Sequence, residues 1–166
     1  VAGGVGDNFE INFLDPDFEI PSELKTAAGF TWSPNFETGE DLFGGVWTFS
    51  GDFQYSRSNN QAIVLRADLE AVGTTAAGYT DYDSVREPAF VLTNADVEAN
   101  SYAFSLGVNR QWENHAITAG YAYTDSNDIQ PMTSSVAFSN YINRAFNDPQ
   151  EQVASTSNYN IKHRFT

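Results

Sequence analysis

Strict alternation of apolar and small polar side chains dominates the segment from Ser101 to Asp125, which reads SYAFSLGVNRQWENHAITAGYAYTD. The pattern is interrupted once, by the polar turn Glu113-Asn114-His115. Because successive side chains of a β-strand point to opposite faces, this segment predicts a hairpin with one aromatic face and one polar face. A soluble sheet buries such an apolar face in a core, whereas a transmembrane β-barrel turns it toward lipid and lines its interior with the polar face.

The same alternation recurs along the chain and predicts an all-β fold, with antiparallel up-and-down strands in one partial barrel domain over residues 1–166. Five strands are predicted, at 22–32, 46–57, 99–112, 116–125 and 158–166. Long loops are predicted at 58–97, with a short hairpin of its own, and at 126–157. Outer-membrane barrels combine short periplasmic turns with long extracellular loops, so this spacing favours a transmembrane barrel, although the turn at 33–45 is longer than a typical periplasmic one.

The composition excludes several classes of function. A formal net charge of −14 on 166 residues argues against nucleic-acid binding, because neutralising phosphates requires a basic surface. The chain has no cysteine, so it offers no disulfide and no thiolate metal site. No run of about 18 apolar residues predicts a membrane-spanning helix. No export signal is recognisable after Val1, although a barrel protein needs one, so we expect a mature chain or a fragment, or else the barrel interpretation is wrong.

The tryptophans provide a second, independent pattern. Trp32 ends the first predicted strand, Trp47 begins the second and Trp112 ends the third, which places all three at one level of an up-and-down sheet. Tryptophan prefers the membrane–water interface, because its ring is apolar and its N–H needs a polar partner. The three tryptophans therefore predict an interface girdle next to the short turns, with Tyr55 and Tyr123 marking the opposite rim.

The alternation also assigns a face to each strand residue. The predicted lipid-facing residues are Phe49, Phe53, Phe104, Leu106, Val108, Ile117 and Tyr121. The predicted lumen-facing residues are Asp52, Gln54, Asn109 and Gln111. Arg110 and His163 share the lipid-facing parity. Arg110 is two residues from Trp112, so we expect it near the interface, where an arginine costs about 0–1 kcal/mol, while His163 has no such explanation unless the last strand is shifted in register.

No catalytic or metal-binding constellation is apparent, and neither an enzyme activity nor a cofactor is predicted. His115 and His163 lie in different predicted elements, and none of the familiar nucleotide, nucleophile or metalloprotease motifs occurs. The acidic segments 15–17 and 125–128 lack the spacing of a calcium-binding loop, and acidic residues are also common in ordinary turns. Calcium binding in these segments stays open at this stage.

Four strings together resemble the Oar-like branch of the TonB-dependent outer-membrane receptors, in the C-terminal part of that family's barrel. They are LDPDFEIPSELK at 14–25, FVLTNAD at 90–96, YAYTDSNDIQPMTSSVAFSNY at 121–141 and TSNYNIKHRFT at 156–166. The resemblance covers most of the chain and is weakest at 34–45 and 66–88.

This resemblance implies a 22-stranded barrel around a plug domain, which imports a scarce ligand across the outer membrane of a Gram-negative bacterium with energy from the TonB complex. The implied partners are the lipid bilayer, the rest of the barrel with its plug, TonB through the missing part, and an unidentified ligand. The chain departs from the family pattern because it has no plug domain, no TonB box and only about five strands. Five strands cannot close a barrel, so the resemblance implies a fragment of a larger wall.

A soluble or surface β-sandwich that binds a ligand, such as a carbohydrate-binding or adhesin module, is the alternative, with an extracellular or periplasmic location. In a sandwich the same apolar face would pack against a second sheet. The two hypotheses therefore differ on whether Phe49, Phe53, Phe104 and Leu106 are covered by protein.

Overall fold

The computed structural model describes residues 10–37, 43–144 and 147–166. Its elements are β1 (Ile11–Leu14), β2 (Ser22–Trp32), β3 (Asn35–Phe36), β4 (Gly45–Asn59), β5 (Ala62–Arg66), β6 (Leu69–Thr74), β7 (Thr80–Ser84), β8 (Ala89–Asn94), β9 (Asn100–Gln111), β10 (Ala116–Asp128), α1 (Ala137–Ile142), β11 (Ser155–Thr156) and β12 (His163–Phe165). About 56% of the residues are in strands, in mostly antiparallel sheets, which confirms the all-β prediction. The described strands form open sheets and no closed barrel. Among these residues, no helix has the length and apolarity needed to cross a membrane.

The chain divides into two compact units. We call residues 23–58, 99–128 and 155–166 the sheet unit, and residues 10–22, 59–98 and 129–154 the loop unit, in each case as far as they are described.

The sheet unit is a single sheet with the strand order β11-β10-β9-β4-β2, in which β12 also pairs with β10 and β3 with β4. The β9–β10 hairpin is in register from Gln111 opposite Ala116 to Ser101 opposite Ser126. Its turn is closed by the backbone N–H of Trp112, which donates to the carbonyl of His115 at 2.7 Å. The regular alternation of the sequence explains this register, because a slip of one residue would exchange the two faces.

The loop unit contains two smaller sheets and the short helix. β8 lies between β1, to which it is parallel, and β5, to which it is antiparallel, while β6 and β7 form a separate hairpin. Val64 and Phe90 from these strands pack with Tyr141 of α1 into a buried cluster. These strands read as short apolar runs without alternation, which is the pattern of strands that are covered by protein.

A buried carboxylate connects the strands of the loop unit. The side chain of Asp68 is fully buried, and it forms an ion pair with Arg66 through both of its oxygens. It also accepts hydrogen bonds from the Ser84 hydroxyl at 2.8 Å and from the Ala89 backbone N–H at 3.0 Å. Burial acts to raise the pKa of Asp68, but the hydrogen bonds from Arg66, Ala89 and Ser84 outweigh it and hold this pKa well below its usual range.

Two parts of the predicted organisation differ in the structure. The segments 58–97 and 126–157, predicted as long loops with one short hairpin in the first, contain the end of β4, four short strands of which β6 and β7 form a hairpin, the end of β10, the helix α1 and β11. Their apolar runs form a core of their own, and a six-residue helix is too short to produce a clear helical periodicity. Residues 38–42 of the turn predicted at 33–45, and the start of the chain near Val1, lie outside the described residues.

The strand predicted at 158–166 is wrong in extent, since only His163–Phe165 form β12. The backbone N–H of Asn160 donates to the carbonyl of Ser157 at 3.0 Å, and this turn separates β12 from β11. Both pieces pair with β10, at Asn127–Asp128 and at Tyr121–Tyr123. The alternation of the sequence continues through the turn, so it does not reveal the interruption.

Candidate functional site

One face of the sheet unit is apolar, aromatic and exposed. Phe53 is 48% exposed, Phe104 37% and Leu106 51%. They occupy neighbouring strands, with Phe53 directly opposite Phe104 and Gly51 opposite Leu106. Phe30 of β2 extends the face, because its ring lies where a side chain on Gly51 would stand. Isolated exposed apolar residues are common on proteins, but a contiguous face of this kind indicates contact with lipid or with another protein.

The other predicted lipid-facing residues lie on this same face. Val108 is opposite both Phe49 and Ala119, Ile117 is opposite Arg110, and Tyr121 is opposite Leu106 and Phe165. Phe49 and Val108 are half-buried between their neighbours, while Ile117 is exposed. The ring centroids of Tyr121 and Phe104 are 5.6 Å apart, so cross-strand aromatic pairs connect the rows of the face.

The three tryptophans lie at one end of this face. Trp47 and Trp112 meet edge to face with centroids 6.2 Å apart, and Trp32 contacts Phe49 at 5.6 Å. The indole N–H of Trp47 donates to the carbonyl of Phe43 at 3.0 Å, which supplies the polar partner that an interfacial tryptophan requires.

Tyr55 and Tyr123 lie toward the opposite end, with Tyr55 opposite Tyr102 and Tyr123 opposite Phe104. From Trp47 to Tyr55, β4 extends about 26 Å at roughly 3.3 Å per residue. A strand tilted by about 40° would cover roughly 20 Å along a membrane normal, comparable with the apolar band of about 25 Å on outer-membrane barrels.

The opposite face of the sheet is polar and built from small residues. Ser105 donates to the carboxylate of Asp52 at 3.3 Å, and Asn109 donates to the hydroxyl of Thr118 at 2.8 Å. The predicted lumen-facing residues Asp52, Gln54, Asn109 and Gln111 are all exposed. The two faces of this sheet therefore differ in chemistry along the full length of its strands.

Arg110 lies on the apolar face and is only 7% exposed. Its guanidinium carbon is 4.4 Å from the centroid of the Trp112 ring and 5.2 Å from that of Trp47, so both rings make cation–π contacts with it. The Nε and Nη1 atoms are buried, and neither has a hydrogen-bond acceptor in the described part of the chain. The sequence places Arg110 beside Trp112, but it does not show that the guanidinium is enclosed by two indoles.

His163 is also on the apolar face, directly opposite Tyr123. Its Nδ1 atom lies 2.9 Å from the Tyr121 hydroxyl, and its ring packs against both tyrosines. No shift of the strand register is therefore needed to explain why His163 lies on the apolar face, because its imidazole has both a polar partner and aromatic neighbours.

The acidic segments serve as structural turns and connections. Asp15 accepts from the Thr93 hydroxyl at 2.6 Å and from the Asp17 backbone N–H at 3.0 Å, and these two bonds lower the pKa of Asp15. Asp125 is 3.8 Å from the Lys162 ammonium. Among the described residues, no group of three or more His, Cys, Asp or Glu is placed to hold a metal ion.

The loop unit contains an open cavity of about 420 Å³ that the sequence did not indicate. Phe13, Leu14, Val64, Phe90, Leu92 and Met132 form its apolar lining, and Asn12, Ser134, Ser135 and Asn140 its polar edge. Asn140 is already occupied, since its amide makes two hydrogen bonds to the backbone of Ser134. The cavity therefore offers an apolar surface and few free polar groups.

Comparisons of the chain with protein families, with curated proteins and with solved structures found no match.

Proposed function

We propose that this chain forms part of the wall of an outer-membrane β-barrel, belonging to a TonB-dependent receptor that takes up a scarce ligand. The observation that carries the proposal is the exposed aromatic face of the sheet unit, which spans four long strands and is backed by a continuous polar face. In water such a face is unfavourable by about 25 cal/mol for each Å² of apolar surface, whereas in a bilayer it is matched to the lipid chains.

The positions of the tryptophans and tyrosines also support the proposal, and they give the sheet an orientation in the membrane. The tryptophans lie at the end of the sheet that carries the Glu113–His115 turn, and the tyrosines lie toward the other end. In the proposed topology the short turn is periplasmic, and the segments 58–97 and 126–157 are extracellular. Asp52, Gln54, Asn109 and Gln111 then face the lumen or the plug domain.

The edges of the sheet support its incorporation into a larger wall. Among the described strands, β2 is an edge strand along all of its 11 residues, and β10 is paired on its outer side only by the short strands β11 and β12. Long unpaired edges attract further strands, and closure of a barrel removes them. The receptor type and its dependence on TonB rest on the resemblance of the four strings. The identity of the imported ligand depends on the complete receptor.

A β-sandwich is the alternative, and it requires a second sheet over Phe53, Phe104 and Leu106. The described residues of the sheet unit form one sheet only, and these three side chains are exposed. This arrangement favours the membrane proposal over the sandwich.

Single-cysteine labelling tests the lipid contact directly, because the native chain has no cysteine. Phe53→Cys and Leu106→Cys place a fluorophore on the apolar face, and the adjacent Gln54→Cys and Ser105→Cys provide matched controls on the polar face. After reconstitution into phosphatidylcholine vesicles, lipids with a nitroxide on the acyl chain should quench the first pair strongly and the second pair weakly.

Equal quenching of both pairs would contradict the proposal, as would a soluble monomer in which the Leu106 probe is shielded from water. The receptor type has a separate test, the sequence of the native polypeptide extracted from outer membranes. A plug domain in that polypeptide supports the receptor, and a membrane polypeptide without one argues for a different barrel.

A further inference from the structure

Arg110 presents an unusual combination of burial and missing partners. In residues 10–37, 43–144 and 147–166, no acceptor bonds its Nε or Nη1 atoms, and no carboxylate forms an ion pair with it. Both indoles make cation–π contacts with the guanidinium, but their rings cannot accept hydrogen bonds in its plane. A buried guanidinium without acceptors is costly, because charged groups lose more than neutral ones when they are desolvated.

The absence of a side chain on Gly45 lets its backbone approach this guanidinium closely. A Cβ atom on Gly45 would stand 3.2 Å from Nη2 of Arg110 and 3.6 Å from its central carbon. Gly45 also has a φ of +86°, a backbone conformation that other residues rarely adopt. The guanidinium therefore lies against two indole rings and the Gly45 backbone, and two of its donor atoms have no acceptor among the described residues.

We propose that Arg110, between Trp47 and Trp112, binds the phosphate of a phospholipid headgroup. This inference rests on the proposed membrane function, which places the tryptophan end of the face at the level of the headgroups. A guanidinium presents its N–H donors in a plane that matches phosphate oxygens, and such charge-assisted hydrogen bonds are among the strongest in proteins.

The apolar surroundings select a lipid rather than a free anion. Ile117 is opposite Arg110 on the neighbouring strand and 50% exposed, so an acyl chain attached to the phosphate has an apolar surface to contact. The chain as a whole carries a net charge of −14, which disfavours free anions in solution. The bound phospholipid would therefore occupy the girdle with its phosphate at Arg110 and its acyl chains toward Val108 and Leu106.

The test uses the full chain in dodecylmaltoside micelles, which contain no phosphate, and titrates phosphatidylglycerol while native mass spectrometry counts the retained lipid. We expect the wild type to bind one molecule with about tenfold higher affinity than Arg110→Met, which corresponds to the loss of one charged interaction. Arg110→Lys keeps the charge without the planar donors and should lie between the two. Arg164→Met, which removes an exposed arginine of β12, should bind like the wild type.

Two further ligands distinguish a lipid headgroup from free inorganic phosphate as the group that binds Arg110. Diacylglycerol with the same acyl chains should bind the wild type as weakly as phosphatidylglycerol binds Arg110→Met. Inorganic phosphate at millimolar concentration should not displace the lipid. Equal affinities of wild type and Arg110→Met overturn the proposal, and displacement by inorganic phosphate reassigns the site to a free anion and overturns the lipid assignment.

The comparison of the two lipids on the wild-type protein decides the question even if Arg110→Met does not fold. Quenching of Trp32 by brominated phosphatidylcholine, measured on a Trp47→Phe, Trp112→Phe variant in which Trp32 is the remaining tryptophan, tests the membrane function independently. If Trp32 is quenched but the headgroup makes no difference, only the headgroup site fails. If Trp32 is not quenched, the proposed function itself fails.

Discussion

The two units of this protein treat apolar side chains in opposite ways. In the loop unit, Phe90 is 2% exposed and packs on Val64 and Tyr141. In the sheet unit, Phe53 is 48% exposed and lies opposite Phe104 of the neighbouring strand. A small sheet covered by a helix forms a core in water, whereas a single-layer sheet with an aromatic face depends on its surroundings to cover that face. Phenylalanine therefore stabilises the core of the loop unit, whereas in the sheet unit it favours an apolar environment around the sheet.

Replacement of the two phenylalanines gives the largest contrast. Phe90→Ala removes a buried ring and leaves a cavity, so we expect the free energy of unfolding of the loop unit to fall by about 3–5 kcal/mol. Phe53→Ala should change the stability in detergent by less than about 1 kcal/mol, because half of that ring is already exposed. Urea titration in dodecylmaltoside, followed by near-ultraviolet circular dichroism, measures both, and equal losses would mean that the sheet unit has a protein core over Phe53.

Placing a charge on either side of the sheet tests the distinction between its faces. Leu106 lies in the middle row of the apolar face, so Leu106→Arg should reduce the free energy of folding into vesicles by about 2–4 kcal/mol. Its neighbour Ser105 lies on the polar face, and Ser105→Arg should cost less than about 1 kcal/mol. The measurement is the folded fraction recovered in phosphatidylcholine vesicles across a urea series, and two small, equal costs would indicate a water-exposed sheet.

Asp68→Asn tests whether polar contacts stabilise the loop unit as its core does. The amide keeps the size of the side chain but loses the charged bonds to Arg66, which is itself partly exposed and can reach water. We expect a loss of about 2 kcal/mol in the free energy of unfolding. Asp81→Asn on the exposed hairpin is the matched control and should change it by less than about 0.5 kcal/mol.

The smallest expected effect is the response of the loop unit to mild acid. The pKa of Asp68 is lower in the folded than in the unfolded chain, so its carboxylate stabilises the fold above the unfolded value of about 3.9. This contribution is lost only as the pH falls below that value toward the folded pKa. Between pH 7 and pH 5, the Asp68-dependent difference between wild type and Asp68→Asn should therefore stay constant, and a marked decrease in this range would contradict the ion pair.

The sheet unit was largely predictable because each of its residues has a periodic role. β2 covers the predicted interval 22–32, and β4, β9 and β10 begin within one residue of their predicted starts. Every predicted lipid-facing and lumen-facing residue lies on the side of the sheet that its parity assigns. This agreement has a physical cause, since the pleat of a strand converts sequence parity directly into a face.

The loop unit was not predictable in the same way. The parallel pairing of β1 with β8 joins segments more than 70 residues apart, and the helix α1 is only six residues long. Asp68 reads as an ordinary acidic turn residue until Arg66, Ser84 and Ala89 surround it. Local patterns contain no information on such partners, because these contacts exist only after the chain has closed its long loops.

The sequence by itself therefore determined the four long strands of the sheet unit, the register of the hairpin and the chemistry of the two faces, because all of these follow from periodicity two. Only the tertiary structure decided that the aromatic face of the sheet is exposed, that the last strand is interrupted by a turn at Ser157–Asn160, and that Arg110 is enclosed by Trp47 and Trp112. Each of these features depends on which segments of the chain pair or pack together. Backbone hydrogen bonding and side-chain packing between distant residues determine that pairing.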